Sequence, residues 1–173
     1  MKFLQDKIDK ILNSKALTRY KLSQLIGITE ATLCQMTTGK AKFSDNIINK
    51  ILPFLEVSRE EFESWTLVDK YSKEVLKLAV QSKKFFPYKK KLILTTKIDA
   101  ILQEKGISRT ILSKEIKYSQ SGLNQIITGK RTMPKSVLER LSNAFEISQD
   151  TILSWIVADR YSLQILEAAC ALL

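Results

Sequence analysis

At 173 residues the chain has room for one domain or two small ones, and its formal net charge of +10 suggests a polyanionic partner. Hydrophobic residues make up 45% with only 5 Gly and 3 Pro, which reads as a compact helical protein. The absence of His, two distant Cys with no CxxC, the lack of any apolar run near the roughly 18 residues of a membrane span, and an N-terminus without an apolar signal core argue against a metal site, a disulfide framework, a membrane anchor and export, so a reducing cytoplasm is expected.

Phe3 to Asn13 has the spacing of a first helix, with Leu4, Ile8, Ile11 and Leu12 on one face. Thr18 is placed to cap a second, short helix built around Leu22. Arg19 in its first turn opposes the helix dipole, a small cost that a nearby anion would remove. Ile26-Gly27-Ile28 reads as a tight turn, since Gly takes positive φ without penalty. Thr29 then opens a third helix that turns Leu33 and Met36 inward and leaves a short polar face outside. Thr38-Gly39-Lys40 closes it, and Ser44 caps a fourth helix that Pro53 is expected to kink or end. Ser58-x-x-Glu61 is a capping box for a last, long helix, whose stripe from Phe62 and Trp65 to Val75, Leu76 and Ala79 spans about five turns. That stripe could close its own core, contact another part of the chain or pair with a second subunit.

The next segment, residues 83–91, sets Lys83, Lys84, Lys89, Lys90 and Lys91 around Phe85-Phe86-Pro87-Tyr88 and supplies about half of the excess positive charge. Its aromatic cluster argues for docking on a neighbouring domain rather than a loose tether. Fully extended it reaches about 30 Å, close to the roughly 34 Å between successive major grooves on one face of DNA.

Beyond it the pattern repeats. A shift of about 90 residues aligns Leu4 to Ser82 with Leu94 to Leu172 without a gap, and roughly a third of the positions are identical. KIDKIL meets KIDAIL, TGK meets TGK, and Ser64-Trp65 with Asp69-x-Tyr71-Ser72 meets Ser154-Trp155 with Asp159-x-Tyr161-Ser162. The recurrence of Asp69 and Tyr71 points to a structural task such as a shared hydrogen bond. Two departures stand out: Glu115 replaces Leu25, and Lys117 replaces the turn Gly27 at a strain of about 1 kcal/mol if it adopts positive φ. The organisation expected is all-α, with two tandem five-helix domains at 1–82 and 92–173, each ending in a long C-terminal helix and joined by a basic aromatic linker at 83–91.

The stretches Thr18 to Lys40 and Ser108 to Lys130 resemble the helix-turn-helix of Cro/C1-type (Xre family) repressors. Leu22, Gly27, Thr29, Leu33, Gly39 and Lys40 fill that family's pattern in the first copy; Leu112, Ser119, Leu123, Gly129 and Lys130 fill it in the second. The resemblance implies that Glu30, Ala31, Thr32 and Gln35 face bases in one copy, and Gln120, Ser121, Gly122, Asn124 and Gln125 in the other. It also implies backbone contacts from Arg19, Thr29, Thr38 and Lys40, and from Arg109, Ser119, Thr128, Lys130 and Arg131. Gln and Asn suit adenine, Ala and Thr the thymine methyl, and Glu the cytosine amino group.

The expectation is therefore a double-stranded DNA-binding transcriptional regulator, a repressor acting by promoter occupancy, in a bacterial, phage or plasmid setting near the nucleoid. Its two unlike reading faces would favour an asymmetric site. The alternative is an antitoxin or phage-type adaptor using the same helices on a protein partner, and the apolar stripes could also make a homodimer. No catalytic residue, metal ligand, cofactor site or small-molecule substrate is assigned: the chain lacks His, a glycine-rich phosphate loop and Gly-x-Ser-x-Gly.

Overall fold

The computed structural model describes residues 3–86 and 92–173, so the expectations for Pro87, Tyr88, Lys89, Lys90 and Lys91 lie outside the described residues. The described residues form twelve α-helices and no strand. The first repeat contributes α1 (Phe3–Ser14), α2 (Arg19–Ile26), α3 (Glu30–Thr37), α4 (Asp45–Leu55), α5 (Arg59–Lys70) and α6 (Lys73–Phe85). The second contributes α7 (Ile93–Glu104), α8 (Arg109–Glu115), α9 (Gln120–Ile127), α10 (Lys135–Phe145), α11 (Gln149–Arg160) and α12 (Leu163–Ala171).

Each repeat thus has six helices, and the long C-terminal helix expected from the apolar stripe is two shorter ones. The break falls at Tyr71-Ser72 and Tyr161-Ser162. Tyr71 and Tyr161 are extended, with φ of −127° and −116°. Ser162 then caps the next helix by accepting from Ile165 N at 3.3 Å. Pro53, by contrast, does not end α4. It lies two residues before the last helical residue, where it removes one backbone hydrogen bond, and the helix stops where Glu56 turns left-handed at φ 54°.

The chain divides into two compact units whose limits differ from the repeat boundaries. One comprises Met1–Lys73 with Glu167–Leu173, the other Glu74–Leu166. In the first, Leu4, Ile8 and Leu12 of α1 join Leu22, Leu33, Ile51, Phe62 and Trp65 in one buried cluster, and Leu172 packs against it. Phe43 meets Phe62 edge-on at 5.2 Å between ring centres. In the second, α6 is tied in by Lys83, whose Nζ donates to Ala158 O at 2.8 Å. Val75, Leu76 and Ala79 of α6 and Ile165, Leu166 and Ala169 of α12 are buried, whereas Phe85 at the end of α6 is exposed.

The recurrent aspartates explain how α1 and α7 are held. Asp69 of α5 accepts from Phe3 N at 3.1 Å and from Leu4 N at 2.9 Å. Asp159 of α11 accepts from Ile93 N at 2.7 Å and from Leu94 N at 2.9 Å. Both carboxylates thus satisfy orphan N–H groups at a helix start from some 65 residues away in sequence.

Candidate nucleic-acid interface

In each unit the two helices of the turn motif pack against one another, α2 on α3 and α8 on α9. Thr29 and Ser119 open the second helix of each pair as N-caps: their hydroxyl oxygens accept from Thr32 N at 3.1 Å and from Gly122 N at 3.2 Å. Gly27 makes the first turn at φ 76°, and Lys117 makes the second at φ 50°, the strained conformation anticipated for a side-chain-bearing residue there. A cation from the fourth helix of each repeat braces the turn. Lys50 Nζ donates to Ile26 O at 3.4 Å, whereas Arg140 Nη1 donates to both Ile116 O and Lys117 O at 3.0 and 3.2 Å. The stronger brace stands where the strained residue does. Leu25 and Glu115 both point outward, so that exchange leaves the core untouched.

The 3.6-residue period divides α3 cleanly. Leu33, Met36 and Thr37 are buried, while Glu30, Ala31, Cys34 and Gln35 are exposed. Thr32 is half-buried and its hydroxyl shares a 2.7 Å hydrogen bond with Thr29. On α9, Leu123, Ile126 and Ile127 are buried and Gln120, Ser121 and Gln125 are exposed. Together with Asn124, Thr128 and Lys130 these three exposed residues line a shallow, open concavity. Thr95 Oγ1 donates to Ile127 O at 2.8 Å, fixing the end of α9 to α7.

Gly122 does not share in that exposed face. It is buried, and a Cβ there would come within 2.8 Å of the Tyr118 ring and 2.7 Å of Ser119 Oγ. Tyr118 stands where the first repeat has Ile28, and Gly122 where it has Thr32; the larger ring takes the space of the missing side chain. Gly122 is therefore a packing residue and presents nothing to a base.

Arg19 and Arg109 also differ from solvated arginines waiting for phosphate. Arg19 donates from Nε to Asp9 Oδ1 at 2.6 Å and from Nη2 to Asp9 Oδ2. That hydrogen bond to the Asp9 carboxylate raises the Arg19 pKa further above its ordinary value, against a smaller opposing effect of burial. Arg109 donates from Nε and Nη2 to Asp99 Oδ1 at 3.0 and 2.6 Å, and from Nη1 to Asn124 Oδ1 at 3.3 Å. The anion that offsets the helix dipole is thus an aspartate of the preceding helix. The aspartates recur with unchanged spacing within KIDKIL and KIDAIL, which was the available sequence signal for this pairing.

The closing segments are built alike. Thr38 and Thr128 turn their hydroxyls back to Cys34 O and Asn124 O, each at 2.7 Å. Gly39 and Gly129 then adopt φ of 73° and 71°. Ala41 N and Arg131 N return to Gln35 O and Gln125 O at 3.0 and 3.1 Å. These bonds leave Lys40, Lys130 and Arg131 exposed past the helix C-termini, where cations are favoured. Phe86 of the basic segment lies under Lys97 Nζ at 5.4 Å, while Phe85 is 84% exposed.

Among the described residues no helix is long and apolar enough to cross a membrane, and no group of three or more His, Cys, Asp or Glu could hold a metal ion. A family model for the Cro/C1-type HTH DNA-binding domain matches the chain twice, over residues 7–66 and 97–159. No match is found among the curated proteins or among the solved structures.

Proposed function

The chain belongs to the Cro/C1-type HTH DNA-binding family, and from that premise we propose that it is a transcriptional repressor in which one chain carries two unlike reading heads for an asymmetric duplex site. The observation that carries this reading is the contrast between the two exposed helix faces. Glu30, Ala31 and Gln35 on α3 offer an acidic acceptor, a methyl and a carboxamide; Gln120, Ser121, Asn124 and Gln125 on α9 offer only neutral hydrogen-bonding groups. Side chains of such different chemistry favour different bases, so the two half-sites differ.

Lys40, Lys130 and Arg131 supply phosphate contacts, supported by the chain's +10 net charge. Thr29, Thr38, Ser119 and Thr128 act first as caps and line the backbone side of the same surface. Arg19 brings Nη1 to phosphate while Asp9 orients it; Arg109, whose three nitrogens already donate to Asp99 and Asn124, has only the second N–H of each terminal nitrogen to offer. Occupancy of a promoter by both heads blocks transcription.

Titration of the full chain against a labelled DNA duplex between about 0.05 and 0.2 M salt tests the reading. The logarithm of the affinity falls linearly with that of salt, by about 0.9 per phosphate neutralised. An RNA duplex of the same sequence binds more weakly, because its major groove is too narrow for a helix. Equal binding to both duplexes, or none to DNA, contradicts the proposal.

A further inference from the structure

We infer that Tyr118 is a backbone contact of the second reading head, its hydroxyl donating to a DNA phosphate beside the first turn of α9. This rests on α9 being a reading helix and adds a contact that the first head lacks.

Gly122 holds the phenol in place. A glycine inside a helix is less stable than alanine, and no left-handed φ calls for one here. Space calls for it instead. A Cβ at Gly122 would lie 2.8 Å from Tyr118 Cε1 and 3.4 Å from Cζ, the carbon that bears the hydroxyl. The hydroxyl end of the ring therefore rests on the backbone of α9, close to where Gly122 N donates to Ser119 Oγ at 3.2 Å. A phenol packed in this way gives up little conformational freedom when it binds.

The hydroxyl is also free to bind. Tyr118 Oη has no hydrogen-bond partner among the described residues, and no buried side-chain polar atom there lacks one, so Oη faces solvent. Its direction follows from the helix. Gln120, Ser121, Asn124 and Gln125 form the outward face of α9, whereas Gly122 lies buried on its flank. A group resting on Gly122 thus emerges beside the reading face. The flanks of a helix in the major groove run along the sugar-phosphate walls, so a phosphate oxygen is the acceptor there. Phosphate oxygens only accept, and a phenol supplies the one donor required. The first repeat offers nothing equivalent: Ile28 has no polar side-chain atom, and the Thr32 hydroxyl already shares its 2.7 Å bond with Thr29.

Titration of the full chain and of Tyr118→Phe against the DNA duplex that the unmodified chain selects from a random library tests this. Tyr118→Phe keeps the ring on Gly122 and removes only the hydroxyl. Thermal unfolding should be unmoved while affinity falls about tenfold, the worth of one hydrogen bond to a charged group. The salt slope should stay the same because no charge is lost, and the selected motif should stay the same because no base is touched. Tyr118→Ile with Gly122→Thr installs the pair that packs in the first repeat. It should weaken binding by the same factor, a readout that survives if Tyr118→Phe does not fold. Unchanged affinity in either variant, a changed motif for Tyr118→Phe, or a loss of affinity that comes only with a lowered Tm overturns the inference while leaving DNA reading intact. Binding of no duplex by the unmodified chain overturns both.

Discussion

Asp159→Ala removes the carboxylate that starts α7, and the structure sets the size of the loss. Ile93 N and Leu94 N each lose a charge-assisted acceptor, at 2.7 and 2.9 Å, and Leu92 at the N-cap position provides no side-chain bond in its place. Bonds to a charged group contribute about 1.5–3 kcal/mol each, and partial rehydration of the freed N–H groups recovers some of that, which leaves a net loss of about 3 kcal/mol. For a chain of this length that is a fall in Tm of about 6–12 °C. Asp159→Asn keeps one acceptor oxygen but turns an NH2 toward the second N–H, so it should lose about 2 kcal/mol. Urea unfolding in a Trp65→Phe background, followed by Trp155 fluorescence, reports the unit that holds α7. Because Thr95 of α7 holds the Ile127 carbonyl at the end of α9, DNA affinity should fall as well. A loss below about 0.5 kcal/mol for Asp159→Ala would refute the view that this carboxylate, and by symmetry Asp69, anchors the first helix of each repeat.

Lys117→Gly should stabilise the protein by about 0.5–1 kcal/mol, because relief of the left-handed strain exceeds the added entropy of the unfolded chain; Gly27→Ala should cost about 1 kcal/mol, and calorimetry that finds both changes destabilising would contradict the strain argument. Leu172→Ala should lower the stability of the unit that contains Trp65 by about 1–2 kcal/mol, since Leu172 packs on that core, and a change seen only at Trp155 would argue against this packing. Lys130→Ala combined with Arg131→Ala should reduce the salt slope of DNA binding by about 2 and weaken all sequences alike; an altered base preference instead would move these residues from phosphate to base.

Much of this architecture was legible in the sequence because each local signal had a single physical outcome. Thr29 and Ser119 before an apolar i, i+3 pair could hardly do other than cap a helix, and both do. The recurrence of Asp69 and Tyr71 pointed to a structural task, and the bonds made by Asp69, like those of Asp159, go to two backbone N–H groups at the start of a distant helix. The break between α5 and α6 was hidden because the helical period runs on across it, and one extended tyrosine carries no breaker signature; only Ser72 and Ser162 hinted at a new cap. The burial of Gly122 depends on the ring of Tyr118 folding over it, a tertiary fact that helical spacing alone does not reveal. The pairing of Arg19 with Asp9 is of the same kind, since it joins two helices whose mutual angle the sequence does not state. Least legible was the grouping of α6 with the second unit and of Glu167–Leu173 with the first, because an apolar stripe specifies burial but not what buries it.

The central claim is that one chain reads two unlike half-sites, and selection of bound duplexes at about 0.15 M salt with Gln35→Ala and Gln125→Ala tests it most directly. The account predicts a motif of two dissimilar halves, with Gln35→Ala blurring one and Gln125→Ala the other. A palindromic motif that both variants blur equally would contradict it.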